Sequence, residues 1–247
     1  MNSSPRIRFR LVPRAELSSP EKAGMFHLLS QHFNGVTPEQ FARDLVEKDL
    51  ALLLESGVHL VGFSTLLAYA TTFEGEPINV IYSGDTIVAK EAWGTMALPR
   101  AWVAGVETLR AKLPAGRCFW LLLTSGFRTY RFLPVFWRAF HPCYNLPGPP
   151  VRQRMLNELA RQRFGSQFDA RAGVVRFAHP QRLTQKLRDV PQERTQDPHI
   201  AYFLSRNPGH GDGDELVCLT ELSPDNLTAA GRRMMSLQAY AADYAHC

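Results

Sequence analysis

Long apolar runs are missing from this chain of 247 residues. No stretch approaches the roughly 20 residues that a bilayer-crossing helix needs. The opening MNSSPRIRFR has no hydrophobic core of a secretory signal, so a cytoplasmic location is expected. Cysteine is scarce. Cys118, Cys143, Cys218 and Cys247 show no CxxC or other metal-ligand spacing, so neither a thiolate metal site nor a bound metal is expected. Cys118 lies in an apolar run without an adjoining base and reads as a core residue rather than a nucleophile. The chain has no GxSxG elbow, no HExxH, no P-loop and no strand-linked GxGxxG. These absences remove the common hydrolase, zinc-peptidase, nucleotide-triphosphate and dinucleotide chemistries. No internal repeat and no nucleic-acid reading module is present.

What the chain has is apolar mass and an uneven charge. Apolar residues make up 45% and aromatic residues 11%, enough for a large core. The net charge of +5 favours acidic partners, although such a balance is also ordinary for an enzyme. Acid is nearly absent from residues 128–163. There Arg128, Arg131, Arg138, Arg152, Arg154, Arg161 and Arg163 face Glu158 alone.

The central stretch is INVIYSGDTIVAKEAWGTMAL, residues 78–98. Its β-branched and aromatic start predicts a strand buried on both faces. Gly84 inside it predicts a bulge or a close approach by another group. Gly94 then turns the chain into a helix, and a helix start is a natural anion site. The polar residues Ser83, Asp85 and Thr86 thus sit inside a buried strand just ahead of such a site.

Around this stretch the pattern predicts a strand over 7–17 and a helix opening at Ser19-Pro20-Glu21, with Ser19 as its cap. A second helix, about Pro38 to Lys48, opens with the capping box Thr37-Pro38-Glu39-Gln40. Strands follow at 50–54 and 60–71, a helix over 94–112, and a strand at 118–124. Helix, broken at Pro134, is expected over 127–140. The run Leu146-Pro147-Gly148-Pro149-Pro150 reads as a linker. Helices are expected over 151–164 and 180–188, and strands at 200–205 and 216–222. A last helix from Ser223 carries Met234, Met235 and Leu237. The domain reading is a core over 1–145, a largely helical insertion over 146–199, and a final hairpin plus helix over 200–247.

Several residues carry chemistry. Asp85, partly desolvated in a strand, suits a general base for an amine; the alternative is that Ser83 and Asp85 hold a bulge. Arg128, Arg131 and Arg138 are expected to share one helix face, able to bind phosphate or an acidic carrier protein, or simply to be solvated. His210, Asp212, Asp214 and Glu215 read as a glycine-rich turn rather than a metal site. His141 reads as a helix-end histidine.

The order of elements resembles the N-acetyltransferase (GNAT) superfamily. LVGFSTL at 60–66, SGDTIVAKEAWG at 83–94 and FWLLL with FLPVFWRAFHP within 119–142 carry the likeness. The resemblance implies an α/β (α+β) fold: a splayed, mostly antiparallel sheet of about six to seven strands, flanked by helices. An acyl-CoA would lie where the fourth strand parts from the fifth, its phosphates on the turn opening the third helix. The phosphate loop is degenerate. Setting Val88 on the family's valine puts Trp93 at the basic or amide position and Met96 and Leu98 at the small ones, leaving Gly94. The tyrosine that protonates the leaving thiolate in many members is replaced at its place by Trp137, whose indole is no acid.

The resemblance implies an N-acyltransferase with acyl-CoA or an acyl-carrier protein as co-substrate and no tightly bound cofactor. Asp85 would be the base, and Tyr130 or Tyr144 the acid. Val88, Trp93, Gly94, Thr95, Arg128 and Arg131 would hold the donor, and Ser83 and Thr86 the acceptor, a small-molecule amine. No membrane or nucleic-acid partner is expected, and a homo-oligomer is left open. A non-catalytic protein binding a ligand or partner through the same cleft is the alternative.

Overall fold

A computed structural model describes residues 7–146 and 148–235. Pro147 of the expected linker, Leu237 of the expected last helix and Cys247 lie outside the described residues. Six long strands form the sheet: β1 (Ile7–Pro13), β2 (Leu50–Ser56), β3 (His59–Phe73), β4 (Glu76–Val88), β5 (Cys118–Thr124) and β6 (Glu215–Glu221). They lie side by side in that order, and short strands at Val174–Val175, Phe168–Asp169 and Phe140–His141 extend the β6 edge. All neighbours among the six are antiparallel except β4 and β5, which are parallel.

The central strands alternate as their composition predicts. On β5, Cys118, Trp120 and Leu122 join one core cluster, and Phe119, Leu121 and Leu123 join another. The first cluster takes in the helices α1 (Ser19–His32), α2 (Pro38–Val46) and α3 (Ala97–Arg110). The second is covered by α6 (Pro150–Phe164) through Met155, Leu156 and Leu159. Burying one such leucine contributes about 1.5–3 kcal/mol.

Helix starts follow local chemistry with one shift. Ser18, not Ser19, caps α1, in a capping box with Glu21. Thr37 caps α2 by accepting from the Gln40 N–H at 3.2 Å. The expected helix over 127–140 is two short pieces, α4 (Phe127–Tyr130) and α5 (Phe132–Phe136). The break falls at Arg131, since Pro134 sits in the first turn of α5, where its missing N–H does no harm.

Two expectations fail. Ile200–Ser205 is not a strand but the body of α7 (Pro198–Arg206). Asp197 caps it, accepting from the His199 N–H at 2.9 Å, and Ile200 and Phe203 are buried at helical spacing. Thus β6 borders β5 without a hairpin partner from 200–205. Residues 180–188, expected as helix, hold a two-residue strand, Arg182–Leu183, paired with Phe33–Asn34, and one helical turn, Gln185–Arg188.

Two features position the site. The β3–β4 register slips between Ser64 opposite Thr86 and Leu66 opposite Ser83, so Gly84 and Asp85 together face Thr65. This is the bulge that Gly84 predicted, and it re-aims the strand. β4 and β5 pair from Asn79 opposite Cys118 to Ser83 opposite Leu122 and then part. β4 runs on to Val88 against β3, while β5 stays with β6, Thr124 opposite Leu216. The fork expected from the resemblance is present.

Candidate active site

The fork opens a cavity of about 1050 Å³. Its walls are β4 from Tyr82 to Val88, β5 from Leu122 to Thr124, the start of α3, and α4 with α5. The end of α6 and parts of 177–194 also line it, so the segment between β5 and β6 closes over the fork.

At the inner end, Asp85 is half-buried and lines the cavity. Burial raises its carboxyl to about 6, the nearby Lys48 ammonium opposing and Asp44 adding. Lys48, two residues past α2, is 6% exposed. Its Nζ donates to the Asp44 carbonyl at 2.8 Å and lies 5.4 Å from the Tyr82 ring centre. Burial lowers its pKa, with Asp85 opposing. The Lys48 stem explains Gly84. A Cβ there would stand 2.5 Å from Lys48 Cε and 2.6 Å from Thr65 Oγ1. Glu215, the first residue of β6, enters from the other side of the fork. Burial pushes its carboxyl to about 8, the negative Asp85 and Asp44 adding. Arg163 of α6 pairs with Glu47 and lies 4.9 Å from the Tyr82 ring centre.

Sequence reading missed Lys48, Glu215, Asp44 and Arg163. Each is far from Asp85 in the chain, and none stands in a motif. Glu215 had been grouped with a turn. Of that turn, Asp214 pairs with Arg176, and no cluster of three metal-ligating side chains exists among the described residues.

Ser83 lies at the fork's vertex, 2% exposed, and its Oγ accepts from Trp120 Nε1 at 2.8 Å and Trp102 Nε1 at 3.1 Å. Thr86 lines the cavity and its Oγ1 shares a hydrogen bond with Ser64 Oγ at 2.8 Å. At the rim the Val88 carbonyl accepts from Trp93 Nε1 at 2.7 Å. Gly94 takes φ +75°, the left-handed turn that glycine favours. Thr95 Oγ1 donates to the Ala92 carbonyl at 2.8 Å. Met96 and Leu98 line the wall at the α3 start. The Arg128 guanidinium lies 4.7 Å from the Trp93 ring centre and donates to the Leu187 carbonyl at 3.0 Å. Burial, with Arg194 beside it, lowers its pKa. Arg131 lines the cavity and pairs with Asp197.

The structure separates other residues from this group. Tyr130 is fully buried and donates to the Pro142 carbonyl at 2.9 Å, and burial raises its pKa. It cannot meet a thiolate in the cavity. Tyr144 is exposed and packs edge-on against His199, outside the cavity lining. Neither tyrosine is placed to be the acid. Trp137 is buried against Trp102 and Trp120. Arg138 lies beyond α5 and does not line the cavity, so the three arginines share no helix face. His141 bonds Gln153 of α6 at 2.7 Å rather than capping a helix. Cys118 is a core thiol that burial raises to about 11.

No protein-family model matches the chain, and no curated protein does. Solved structures are similar at a distance. A probable N-acyltransferase from Enterococcus faecalis, described as a conserved protein of unknown function, is 16% identical with TM-score 0.41, over 53% of this chain and 33% of that one. The chain thus spans only a third of that protein. The GNAT family N-acetyltransferase YhbS from Escherichia coli, solved with CoA, is 14% identical with TM-score 0.37, over 53% of this chain and 71% of that one. An acetyltransferase from Trypanosoma brucei is 14% identical with TM-score 0.40, over 58% of this chain and the whole of that one. The strand order, the β4 bulge and the parting of β4 from β5 mark the fold, rather than these likenesses. The chain has a GNAT fold in a divergent form, and the turn ahead of α3 keeps one glycine, Gly94.

Proposed function

We propose that the protein is an N-acyltransferase, moving an acyl group from a thioester donor to an amine. The observation that carries this reading is the open fork with Asp85 on its wall, at a carboxyl pKa of about 6. A carboxylate at that value is ionised at neutral pH and still basic enough to accept a proton in transit.

The donor, an acyl-CoA or an acyl-carrier protein, enters past Trp93, Gly94 and Thr95, with Arg128 and Arg131 beside its phosphates. The acceptor amine comes from the side of Asp85, Thr86 and Glu215. Asp85 takes one proton from the acceptor ammonium and passes it to water. The neutral nitrogen attacks the thioester carbon. The tetrahedral adduct then collapses, the carbon–sulfur bond breaks, and the remaining ammonium proton leaves with the sulfur. No tyrosine acid is invoked, because Tyr130 is sealed and Tyr144 lies outside. We assign this activity to the cytoplasm.

A second reading is a binding protein without turnover. The Trp93 indole favours it, because it occupies the Val88 carbonyl that a donor's amide would otherwise use. Thermal melting with CoA, acetyl-CoA and an acyl-carrier protein, together with thiol release in a panel of primary amines, separates the two. A donor at 100 times its dissociation constant adds about 2.7 kcal/mol. Asp85→Asn should abolish thiol release and keep the melting shift. A shift without thiol release in the wild type would establish the second reading. Absence of any shift would remove both donors.

A further inference from the structure

Ser83 is the last residue of β4 paired with β5, so its side chain stands where the fork begins. A hydroxyl has two acceptor lone pairs and one proton. Both lone pairs of Ser83 Oγ are engaged, by Trp120 Nε1 and Trp102 Nε1. An indole nitrogen only donates, so neither tryptophan can take the serine's proton. The hydroxyl proton has no acceptor among the described residues. It is also held in direction. The Trp102 and Trp120 rings pack at 4.5 Å between centres, and Trp137 packs on them at 5.5 and 5.0 Å. The proton must turn away from both indoles, and Ser83, Trp102, Trp120 and Leu122 all line the cavity. Accepting two hydrogen bonds polarises an O–H and strengthens it as a donor.

We propose that Ser83 is a catalytic hydrogen-bond donor whose O–H points at the thioester carbonyl oxygen. The inference rests on the acyltransfer reading and adds the group that stabilises its charge. When the amine nitrogen attacks, the carbonyl π pair moves onto oxygen. Ser83 holds that oxyanion with its proton still its own. When the carbon–sulfur bond breaks, the pair returns to the carbonyl. The two tryptophans are positioning residues, which aim the hydroxyl without touching substrate. The bulge sets Asp85 with Gly84 opposite Thr65, away from the two indoles, and Ser83 and Asp85 both line the one cavity.

The test uses the full chain, with acetyl-CoA carrying 13C at its carbonyl and free CoA as the control. In the wild type the carbonyl stretch of the bound thioester shifts to lower frequency. Ser83→Ala should lose that shift, bind free CoA as the wild type does, and release thiol about 10²–10³-fold more slowly, the loss falling on kcat rather than KM. Ser83→Thr, which keeps a hydroxyl, should recover part of the rate. Should the alanine variant fail to fold, Ser83→Cys carries the test. Its weak S–H donor should lower kcat at least about tenfold with CoA binding intact. A carbonyl band and a kcat equal to wild type in either variant would overturn the proposal for Ser83 alone. A wild type that neither binds nor consumes acetyl-CoA or an acetylated carrier protein would overturn the acyltransfer reading and this inference with it.

Discussion

Glu215 offers a quantitative test of the electrostatics inside the fork. Its carboxyl is raised from an ordinary 4.5 to about 8 by burial and by the negative Asp85 and Asp44. An acid whose folded pKa lies above its unfolded one keeps its proton longer in the folded state. Its charge is therefore neutral in its effect on stability below about pH 4.5. It becomes unfavourable as pH rises toward 8, and its penalty is constant above that. At 1.36 kcal/mol per pKa unit, the ceiling is about 4–5 kcal/mol. Glu215 is half-buried and faces a cavity, so solvent screening lowers the expected penalty to about 2 kcal/mol. Glu215→Gln removes the charge and nearly keeps the shape. Urea unfolding at pH 5, 7 and 9 should show the variant losing about 2 kcal/mol less than the wild type between the lowest and highest pH. Asp85→Asn should lower the Glu215 pKa and shrink the same difference, because one of the charges raising it is gone. Identical pH slopes for wild type and Glu215→Gln would refute the burial of this carboxylate in the fork.

Two other substitutions probe the separation of site from support. Tyr130→Phe removes a buried donor to the Pro142 carbonyl and should cost about 1–2 kcal/mol in urea unfolding, with thiol release unchanged. A loss of thiol release with stability kept would return Tyr130 to the reaction. Gly84→Ala drives a methyl against Lys48 Cε and Thr65 Oγ1 and should cost about 1–3 kcal/mol in thermal or urea melts. A neutral effect would show that the Lys48 stem does not lie across the bulge.

Much of the fold was written in local patterns. The unbroken apolar run of β5 announced a strand buried on both faces, and Gly84 announced the bulge. Thr37 announced the α2 start, because a cap acts within one turn of its own helix. The same locality misled at Ile200–Ser205. There a short apolar stretch read as a strand is a helix, set by the Asp197 cap and the burial of Ile200 and Phe203 on one helical face.

The site was legible only as far as β4 reached. Ser83, Asp85 and Gly94 stood out because polar groups and a turn interrupt an apolar strand. What surrounds them is a matter of tertiary structure. Lys48 and Glu215 feel the Asp85 charge only because segments far apart in the chain line one cavity. The arginines 128, 131 and 138 look in sequence as if they share a helix face, but α5 ends at Phe136 and Trp137 is extended, so Arg138 lies beyond the helix. Tyr130 resembles an acid until packing seals it beneath Pro142, and Ser83 becomes a directed donor only when two distant indoles converge on its oxygen. Sequence periodicity tells which way a side chain leaves its own strand. What it meets there depends on contacts across the fold, and those contacts set the charge, the pKa and the free valence on which chemistry depends.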